Sequence, residues 1–280
     1  MEKQLKKYFA IFLLPTIISV IVFFIFPFIF GLFLSFYDFT TVIDRTFVGF
    51  NNYILAFQDP MFNHSFWFTL VFVLVTIIIV TILGFLLALI LTKNIKGTNI
   101  FRTTFFMPNL IGGIVLGYIW QLIINGILAK YGVTIAIDEK YGFWGLVILN
   151  AWQQIGYMMI IFIAGLQAIP QNLYEAADID GANWWVKLKN VTLPMLMPTI
   201  TICTFLTMTR GFKLFDPNLA LTAGEPAQAS AMLALNIYHT FYGRVGWMGV
   251  GQAKAVIFCL IVIILGAAQL YFTRRKEVTL

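Results

Sequence analysis

The chain has 280 residues, of which 60% are hydrophobic and only 11% are charged. An average soluble domain carries about 25% charged residues, so this composition excludes a soluble globular protein, whose surface needs more polar side chains. The formal net charge is +6, but the basic residues lie between apolar runs and form no patch for nucleic acid. These features indicate a membrane protein.

Six apolar stretches are long enough to cross a bilayer, which takes about 20 helical residues. Lipid offers no partner to an unpaired backbone group, so each stretch is interpreted as a helix. The predicted fold class is all-α, a polytopic membrane protein with six transmembrane helices in a single domain over residues 1–280. The spans are predicted near residues 9–37, 65–92, 104–127, 143–169, 194–215 and 255–273. The first is too long for a signal-peptide core and is expected to remain as a span.

Basic residues favour one side of the predicted membrane. Because short cytoplasmic loops retain positive charge, that side is predicted to be cytoplasmic and to hold both termini. The basic residues assigned to it are Lys3, Lys6, Lys7, Lys93, Lys96, Arg102, Lys187, Lys189, Arg274, Arg275 and Lys276. The opposite side would hold Arg45, Lys130, Lys140 and Arg244.

The sequence predicts no catalytic site on this chain. No His, Cys, Asp and Glu cluster has metal-ligand spacing, and no Ser/His/Asp or paired-carboxylate arrangement is evident. No Gly-rich phosphate loop followed by Lys and Ser or Thr is present either, so ATP is not expected to bind here. Cys203 and Cys259 lie in apolar stretches, where a small hydrophobic role is expected.

The predicted cytoplasmic loop at residues 171–194 has an internal structure of its own. Good helix formers follow Pro170, and Asp180 and Gly181 supply a turn, since glycine adopts positive φ freely. Asn183 is expected to cap a second short helix. Pro194 is expected to end that helix and to begin the fifth span.

This loop resembles the EAA loop of binding-protein-dependent importers, in which Glu-Ala-Ala is followed by a glycine and then by a hydrophobic-x-Leu-Pro ending. An amphipathic interfacial loop would explain its helices but not the whole pattern. The matching residues are Glu175, Ala176, Ala177, Gly181, Leu193 and Pro194, with Val191 where isoleucine is commoner.

The resemblance extends to the maltose-type sugar permease family, specifically its first-subunit branch. Residues 47–53 look like the outer-loop signature of that branch, residues 101–108 like its entry to the third span, and residues 164–170 like the segment before its EAA loop. One departure is Glu225, where a second glycine is usual.

The resemblance implies a permease subunit of an ATP-driven carbohydrate importer in a bacterial or archaeal cytoplasmic membrane. It implies a second homologous permease, two cytoplasmic ATPase subunits or domains, and an extracellular or periplasmic solute-binding protein, within membrane lipid. ATP and Mg would bind the partner ATPase, and this chain would bind no cofactor. The residues implied in ATPase coupling are Tyr174, Glu175, Ala176, Ala177, Asp180 and Gly181. For Asp178 and Asp180, a role as solvated loop charges remains open.

Polar side chains share one face of the fourth predicted span. Asn150, Gln153, Gln154 and Tyr157 are spaced i, i+3, i+4 and i+7. They could line a sugar path, since hydroxyl-rich solutes need amide donors, amide acceptors and an aromatic face. They could also form hydrogen bonds between helices. In the maltose-type family, this part of the fourth core span lines the solute site.

The end of the fifth predicted span carries charged residues. An isolated Arg in a span costs about 2.5–3.5 kcal/mol, so Arg210 is expected to reach water, a cavity or an acidic partner. Lys213 and Asp216 could pair at i, i+3. The family resemblance places this segment beside the translocation path.

Three alternative functions remain from the sequence. The first is the same architecture importing another solute, such as glycerol phosphate. The second is an ion-coupled secondary transporter, which the lack of a detectable internal repeat disfavours. The third is a membrane enzyme or sensor, disfavoured because no catalytic constellation or soluble signalling domain is evident.

Overall fold

The structure is a computed structural model that describes residue 9 and residues 13–41, 43–93 and 96–275. Part of the first predicted span, and the basic residues Lys3, Lys6, Lys7 and Lys276, lie outside the described residues. The assignment of both termini to the cytoplasm therefore stays a prediction.

The N-terminal part combines two long helices with a short hairpin that the sequence did not predict. Its elements are α1 (Leu13–Leu34, with a π turn at Ile21–Ile25), β1 (Tyr37–Phe39), β2 (Arg45–Phe47), α2 (Asn51–Gln58) and α3 (Pro60–Leu91). The strands are antiparallel and pair Tyr37 with Phe47.

The middle of the chain contains a broken helix followed by a continuous one. Its elements are α4 (Thr98–Phe106), a 3₁₀ turn (Met107–Leu110), α5 (Gly113–Leu128) and α6 (Glu139–Gln167). The single span predicted near 104–127 is thus interrupted, because Ile111 has an extended backbone with ψ of 134°. Pro108 occupies the 3₁₀ turn, where its missing N–H is tolerated.

The C-terminal part alternates short and long helices. Its elements are α7 (Gln171–Ile179), α8 (Trp184–Met195, with a π turn at Leu188–Thr192), α9 (Met197–Phe212), α10 (Asp216–Leu221), α11 (Leu233–Gly243) and α12 (Met248–Arg274).

Five helices of the described chain are long and apolar enough to cross a membrane: Leu13–Leu34, Pro60–Leu91, Gly113–Tyr131, Glu139–Gln167 and Met248–Arg274. A sixth span results if α8 and α9, which meet at 65°, are counted as one broken span. The all-α prediction is confirmed.

The break between α8 and α9 corrects the prediction for Pro194. That proline does not end the preceding helix, since α8 continues to Met195 and the break falls at Leu196. The wide π turn directly before Leu193 accommodates a residue without an N–H donor.

Two compact units make up the described chain. The first consists of the described parts of Met1–Pro60 together with Ile237–Cys259. Within it, the Asn52 amide donates to the carbonyls of Ser35 and Tyr37, both at 2.9 Å, and ties α2 to the end of α1 and to β1.

The second unit consists of the described parts of Met61–Asn236 and Leu260–Leu280. Its apolar core includes side chains of α3, α6 and α9, such as Val80, Phe162 and Cys203. At Gly156 the backbone of α4 approaches α6 so closely that an added Cβ would lie 1.8 Å from the Phe105 carbonyl oxygen. This close packing sets the position of the chain that leads from α4 to α5.

Candidate functional site: a polar cavity beside the fourth predicted span

An open cavity of about 480 Å³ lies in the second unit, where α5, α6, α9 and α10 converge. It brings together five of the six residues predicted to bind solute. The residues that line it are Asn109, Gly113, Asn150, Gln153, Gln154, Thr209, Arg210, Lys213, Leu214, Phe215, Asp216 and Pro217.

Two amides on α6 are buried at the wall of this cavity. Asn150 is 1% exposed and Gln154 is 2% exposed. Gln154 Nε2 donates to Asn150 Oδ1 at 2.6 Å, as their i, i+4 spacing allows. Asn150 Nδ2 and Gln154 Oε1 have no hydrogen-bond partner among the described residues. A buried polar atom without a partner costs about 1–3 kcal/mol, so the pair leaves one donor and one acceptor unused by the described residues.

Gln153 lines the same cavity but is already engaged. Its Nε2 donates to the carbonyl of Ile111 at 3.1 Å. That carbonyl belongs to the extended residue between the 3₁₀ turn and α5, where the helical hydrogen-bond pattern is interrupted. Gln153 therefore braces the broken helix against α6.

Arg210, near the end of α9, is held by two neutral partners. Its Nη1 donates to Asn109 Oδ1 at 2.8 Å, and its guanidinium carbon lies 4.5 Å from the centre of the Tyr157 ring. A cation above an aromatic face is stabilised by about 0.5–2 kcal/mol. Arg210 was expected to reach water, a cavity or an acidic partner. In the structure it lines the cavity, and its partners are the Asn109 amide and the Tyr157 ring.

Tyr157 is the predicted solute-binding residue that does not line the cavity. Its ring supports the Arg210 guanidinium and also lies 6.4 Å from the Phe106 ring. Tyr157 thus contacts the cavity residue Arg210 and does not itself line the cavity.

Lys213 and Asp216 line the cavity, but the predicted i, i+3 ion pair between them is not formed in the described structure. The reason is the backbone, because α9 ends at Phe212 and α10 begins at Asp216. The two residues thus do not share one helical turn. Both charges face the cavity without neutralising each other at short range.

Close packing of α10 against α5 positions this charged segment. An added Cβ at Gly113 would lie 2.9 Å from Asp216 Cβ, and one at Gly117 would lie 2.5 Å from Ala220 Cβ. Only glycine allows the two helices to approach so closely, and the approach places Asp216 at the cavity wall.

The loop that resembles the EAA motif forms the predicted pair of short helices. Gly181 adopts a φ of 70°, as the predicted turn requires. Asn183 Oδ1 accepts a hydrogen bond from the Val186 N–H at 3.0 Å and caps α8 as predicted. Glu175, Ala176 and Asp180 are exposed.

Two side-chain contacts attach α7 to α8. Tyr174 Oη lies 3.0 Å from Thr192 Oγ1, and Lys187 forms an ion pair with Asp178. Tyr174 and Ala177 are only partly exposed. The sequence did not predict the partners Thr192 and Lys187, since they lie 18 and 9 residues from Tyr174 and Asp178.

Asn109 is a polar cavity residue that sequence reasoning missed. It lies 101 residues from Arg210 along the chain, which leaves no local spacing to reveal the contact. The available signal was a polar residue directly after Pro108 within an otherwise apolar segment.

Comparisons with known proteins identify the family. Residues 80–278 match the family described as binding-protein-dependent transport system inner membrane component. The chain is 40% identical over 279 residues to a probable starch degradation products transport system permease of Thermoanaerobacterium thermosulfurigenes, covering 97% of this chain and 95% of that protein. It is 32% identical over 262 residues to a trehalose/maltose transport system permease of Thermococcus litoralis, covering 90% and 88%.

A solved structure shares the fold. The chain matches a bacterial alginate ABC transporter, crystallised in complex with an alginate pentasaccharide-bound periplasmic protein, with a TM-score of 0.82 and 21% identity. The match covers 100% of this chain and 99% of that one. The protein therefore belongs to the family of inner membrane components of binding-protein-dependent transport systems and is a multi-pass, non-catalytic permease subunit.

Proposed function

We propose that this chain forms half of the translocation path of an ATP-driven carbohydrate importer. It acts with a second homologous permease, with two ATPase subunits or domains that bind ATP and Mg, and with an external solute-binding protein. Relatives named for starch degradation products and for trehalose and maltose support a carbohydrate as the solute. The observation that carries the proposal is the pair of unpaired amide atoms at the cavity wall.

The chemistry of that pair suits a sugar. Each sugar hydroxyl can donate one hydrogen bond and accept others, so a single solute can satisfy both Asn150 Nδ2 and Gln154 Oε1. The cavity volume of about 480 Å³ falls within the range of about 300–1,000 Å³ that is typical of small-ligand sites. Arg210 and Lys213 add donors at the cavity wall.

The same chain provides a physical link from the ATPase to this cavity. The exposed Glu175 and Ala176 on α7 dock on the ATPase, and Gly181 permits the turn that follows. The contact between Tyr174 and Thr192 passes a displacement of α7 to α8. Beyond the break at Leu196, α9 ends beside the cavity and carries Arg210.

The proposal includes a cytoplasmic position for the loop at residues 171–194. In intact cells, a cysteine engineered at Asn183 should resist a membrane-impermeant thiol reagent applied outside, whereas one at Asn51 should react. External labelling of the cysteine at position 183 would contradict this topology.

A second candidate is an importer of an anionic solute such as glycerol phosphate. The observation that favours it is the presence of Arg210 and Lys213 at the cavity wall with a single carboxylate, Asp216. Stimulation of ATP hydrolysis by a panel of neutral oligosaccharides and phosphorylated polyols, each presented with its binding protein, distinguishes the two solutes.

The test of the main proposal is the variant Asn150→Ala in the reconstituted complex. Loss of one buried hydrogen bond to a neutral solute should raise the KM of uptake by roughly 5- to 150-fold, the equivalent of about 1–3 kcal/mol. Complex yield and the affinity of the binding protein should not change. A normally assembled variant with wild-type uptake kinetics would remove Asn150 from the translocation path.

A further inference from the structure

A second cleft, separate from the polar cavity, lies between the N-terminal parts of α3 and α6 and has a volume of about 310 Å³. Four aromatic side chains line it: Trp67, Phe68, Phe143 and Trp144. Phe68 and Phe143 meet edge to face with 5.5 Å between ring centres. Glu139 and Lys140 line the same cleft, so that opposite charges stand beside the aromatic rings.

Helix length indicates the depth of this cleft in the membrane. The 32 residues of α3 and the 29 residues of α6 span about 48 Å and ~44 Å, whereas the hydrocarbon core is about 30 Å thick. With the excess shared between both ends, roughly the first five residues of each helix lie outside the hydrocarbon. Trp67 and Trp144 then fall at its boundary, and Glu139 and Lys140 lie among the lipid headgroups.

Two of the aromatic rings of the cleft are exposed. Trp67 is 62% exposed and Trp144 is 53% exposed in this chain. Tryptophan is enriched at the membrane interface because it combines an apolar body with a polar N–H. The aromatic faces of the cleft are therefore available to a molecule at the interface.

The Glu139 carboxylate lies beside His64 at the edge of the cleft. Its Oε2 lies 3.2 Å from His64 Nε2, which also lies 2.8 Å from the Ala229 carbonyl oxygen. A carbonyl oxygen only accepts hydrogen bonds, so His64 Nε2 carries the proton and donates. The single Nε2 proton is shared between the Ala229 carbonyl, at the shorter distance, and the Glu139 carboxylate, and the Glu139 side chain stays partly exposed.

We propose that this cleft binds the headgroup of a phospholipid in which an ammonium follows the phosphate, as in phosphatidylethanolamine. The ammonium lies against the Glu139 carboxylate and the aromatic faces, where carboxylate and ring quadrupoles both attract a cation. The phosphate lies against the exposed Lys140 ammonium. A phosphatidylglycerol headgroup has no cation and would place uncompensated negative charge near Glu139.

The experiment titrates the purified, delipidated transporter complex with dioleoyl phosphatidylethanolamine, phosphatidylcholine or phosphatidylglycerol and measures bound lipid by native mass spectrometry. Phosphatidylethanolamine should be retained more strongly than phosphatidylglycerol. Glu139→Gln and Lys140→Gln should each weaken its retention about tenfold, the effect of one lost charge-assisted contact. Trp144→Leu should weaken it too.

Matched controls lie outside the cleft. Lys130→Gln removes an exposed lysine, and Trp152→Leu removes an exposed tryptophan farther along α6, so both should leave lipid retention unchanged. Since Lys140 is exposed, its variant tests the site even if Glu139→Gln lowers complex yield. Equal retention of phosphatidylglycerol, or retention unaffected by all three cleft variants, would overturn the proposal. The proposal would also be overturned if residues introduced at positions 67 or 144 cross-linked to another subunit in a complex without bound lipid.

Discussion

Two groups of buried polar side chains, one in each unit, differ in their hydrogen bonding. In the first unit, Lys254 is fully buried and donates to Asp59 and to Thr240, both at 2.7 Å. Arg244 donates to the same Asp59 carboxylate at 3.0 Å. Burial of these charges is therefore compensated within the protein, as a structural ion cluster requires.

In the second unit, the buried polar groups at the cavity are only partly compensated by other protein groups. Asn150 and Gln154 satisfy one another only in part, and Arg210 is paired with a neutral amide. A buried polar group in a membrane protein is therefore not in itself a sign of function. The informative feature is the combination of unused hydrogen-bonding capacity with a position at a cavity wall.

The largest expected effect on stability comes from breaking the ion cluster of Lys254, Asp59 and Arg244. Lys254→Met leaves the buried Asp59 with one cationic partner fewer, and removal of one member of a buried pair typically costs about 3–5 kcal/mol. Complex yield and the thermal unfolding midpoint should fall, and Asp59→Asn in the same chain should restore part of the loss. Lys130→Met is the exposed control. An unchanged unfolding midpoint for Lys254→Met would contradict a structural role.

The next effect comes from disturbing the cavity without touching its polar groups. In Gly156→Ala, the new Cβ meets the Phe105 carbonyl at 1.8 Å and must displace α4, with a cost of about 1–3 kcal/mol or more. Uptake should fall together with stability. Gly126→Ala is the matched control, because its Cβ would meet nothing within 4 Å. Equal uptake and equal stability of the two variants would contradict the close approach of α4 to α6.

How far the sequence predicts these regions depends on the range of the interactions. Asn150 and Gln154 were predictable because one helical period relates them. The contact of Asn109 with Arg210 and the ion pair of Lys254 with Asp59 were not predictable, since 101 and 195 residues separate the partners. Hydropathy predicted the spans, but it does not respond to the extended backbone at Ile111 or the break at Leu196, where apolar residues continue.

Loss of the hydrogen bond between Asn109 and Arg210 should have a smaller effect, on uptake and not on stability. In Asn109→Ala the guanidinium loses its hydrogen-bond acceptor but keeps the Tyr157 ring. At about 1 kcal/mol for one hydrogen bond, the KM of uptake should rise roughly fivefold. The unfolding midpoint should stay close to that of the wild type. A large loss of stability with an unchanged KM would assign Asn109 to structure alone.

The smallest effect is expected at the contact between α7 and α8. Tyr174→Phe and Thr192→Val each remove one hydroxyl of the same hydrogen bond, worth about 1 kcal/mol. The solute transported per ATP hydrolysed should decrease, and the double variant should be no worse than either single one. Tyr131→Phe, at an exposed tyrosine, is the control. Additive losses would indicate that the two hydroxyls act separately.

The most direct test of the central claim is solute protection of the cavity itself. Thr209→Cys, at the cavity wall, is introduced into a complex in which Cys203 and Cys259 are replaced by alanine. Its rate of modification by a thiol reagent is measured with the binding protein, with and without an oligosaccharide that the complex transports. The solute is expected to slow modification at Thr209→Cys but not at Lys130→Cys. Equal rates at Thr209→Cys with and without solute, in a complex that still transports, would contradict it.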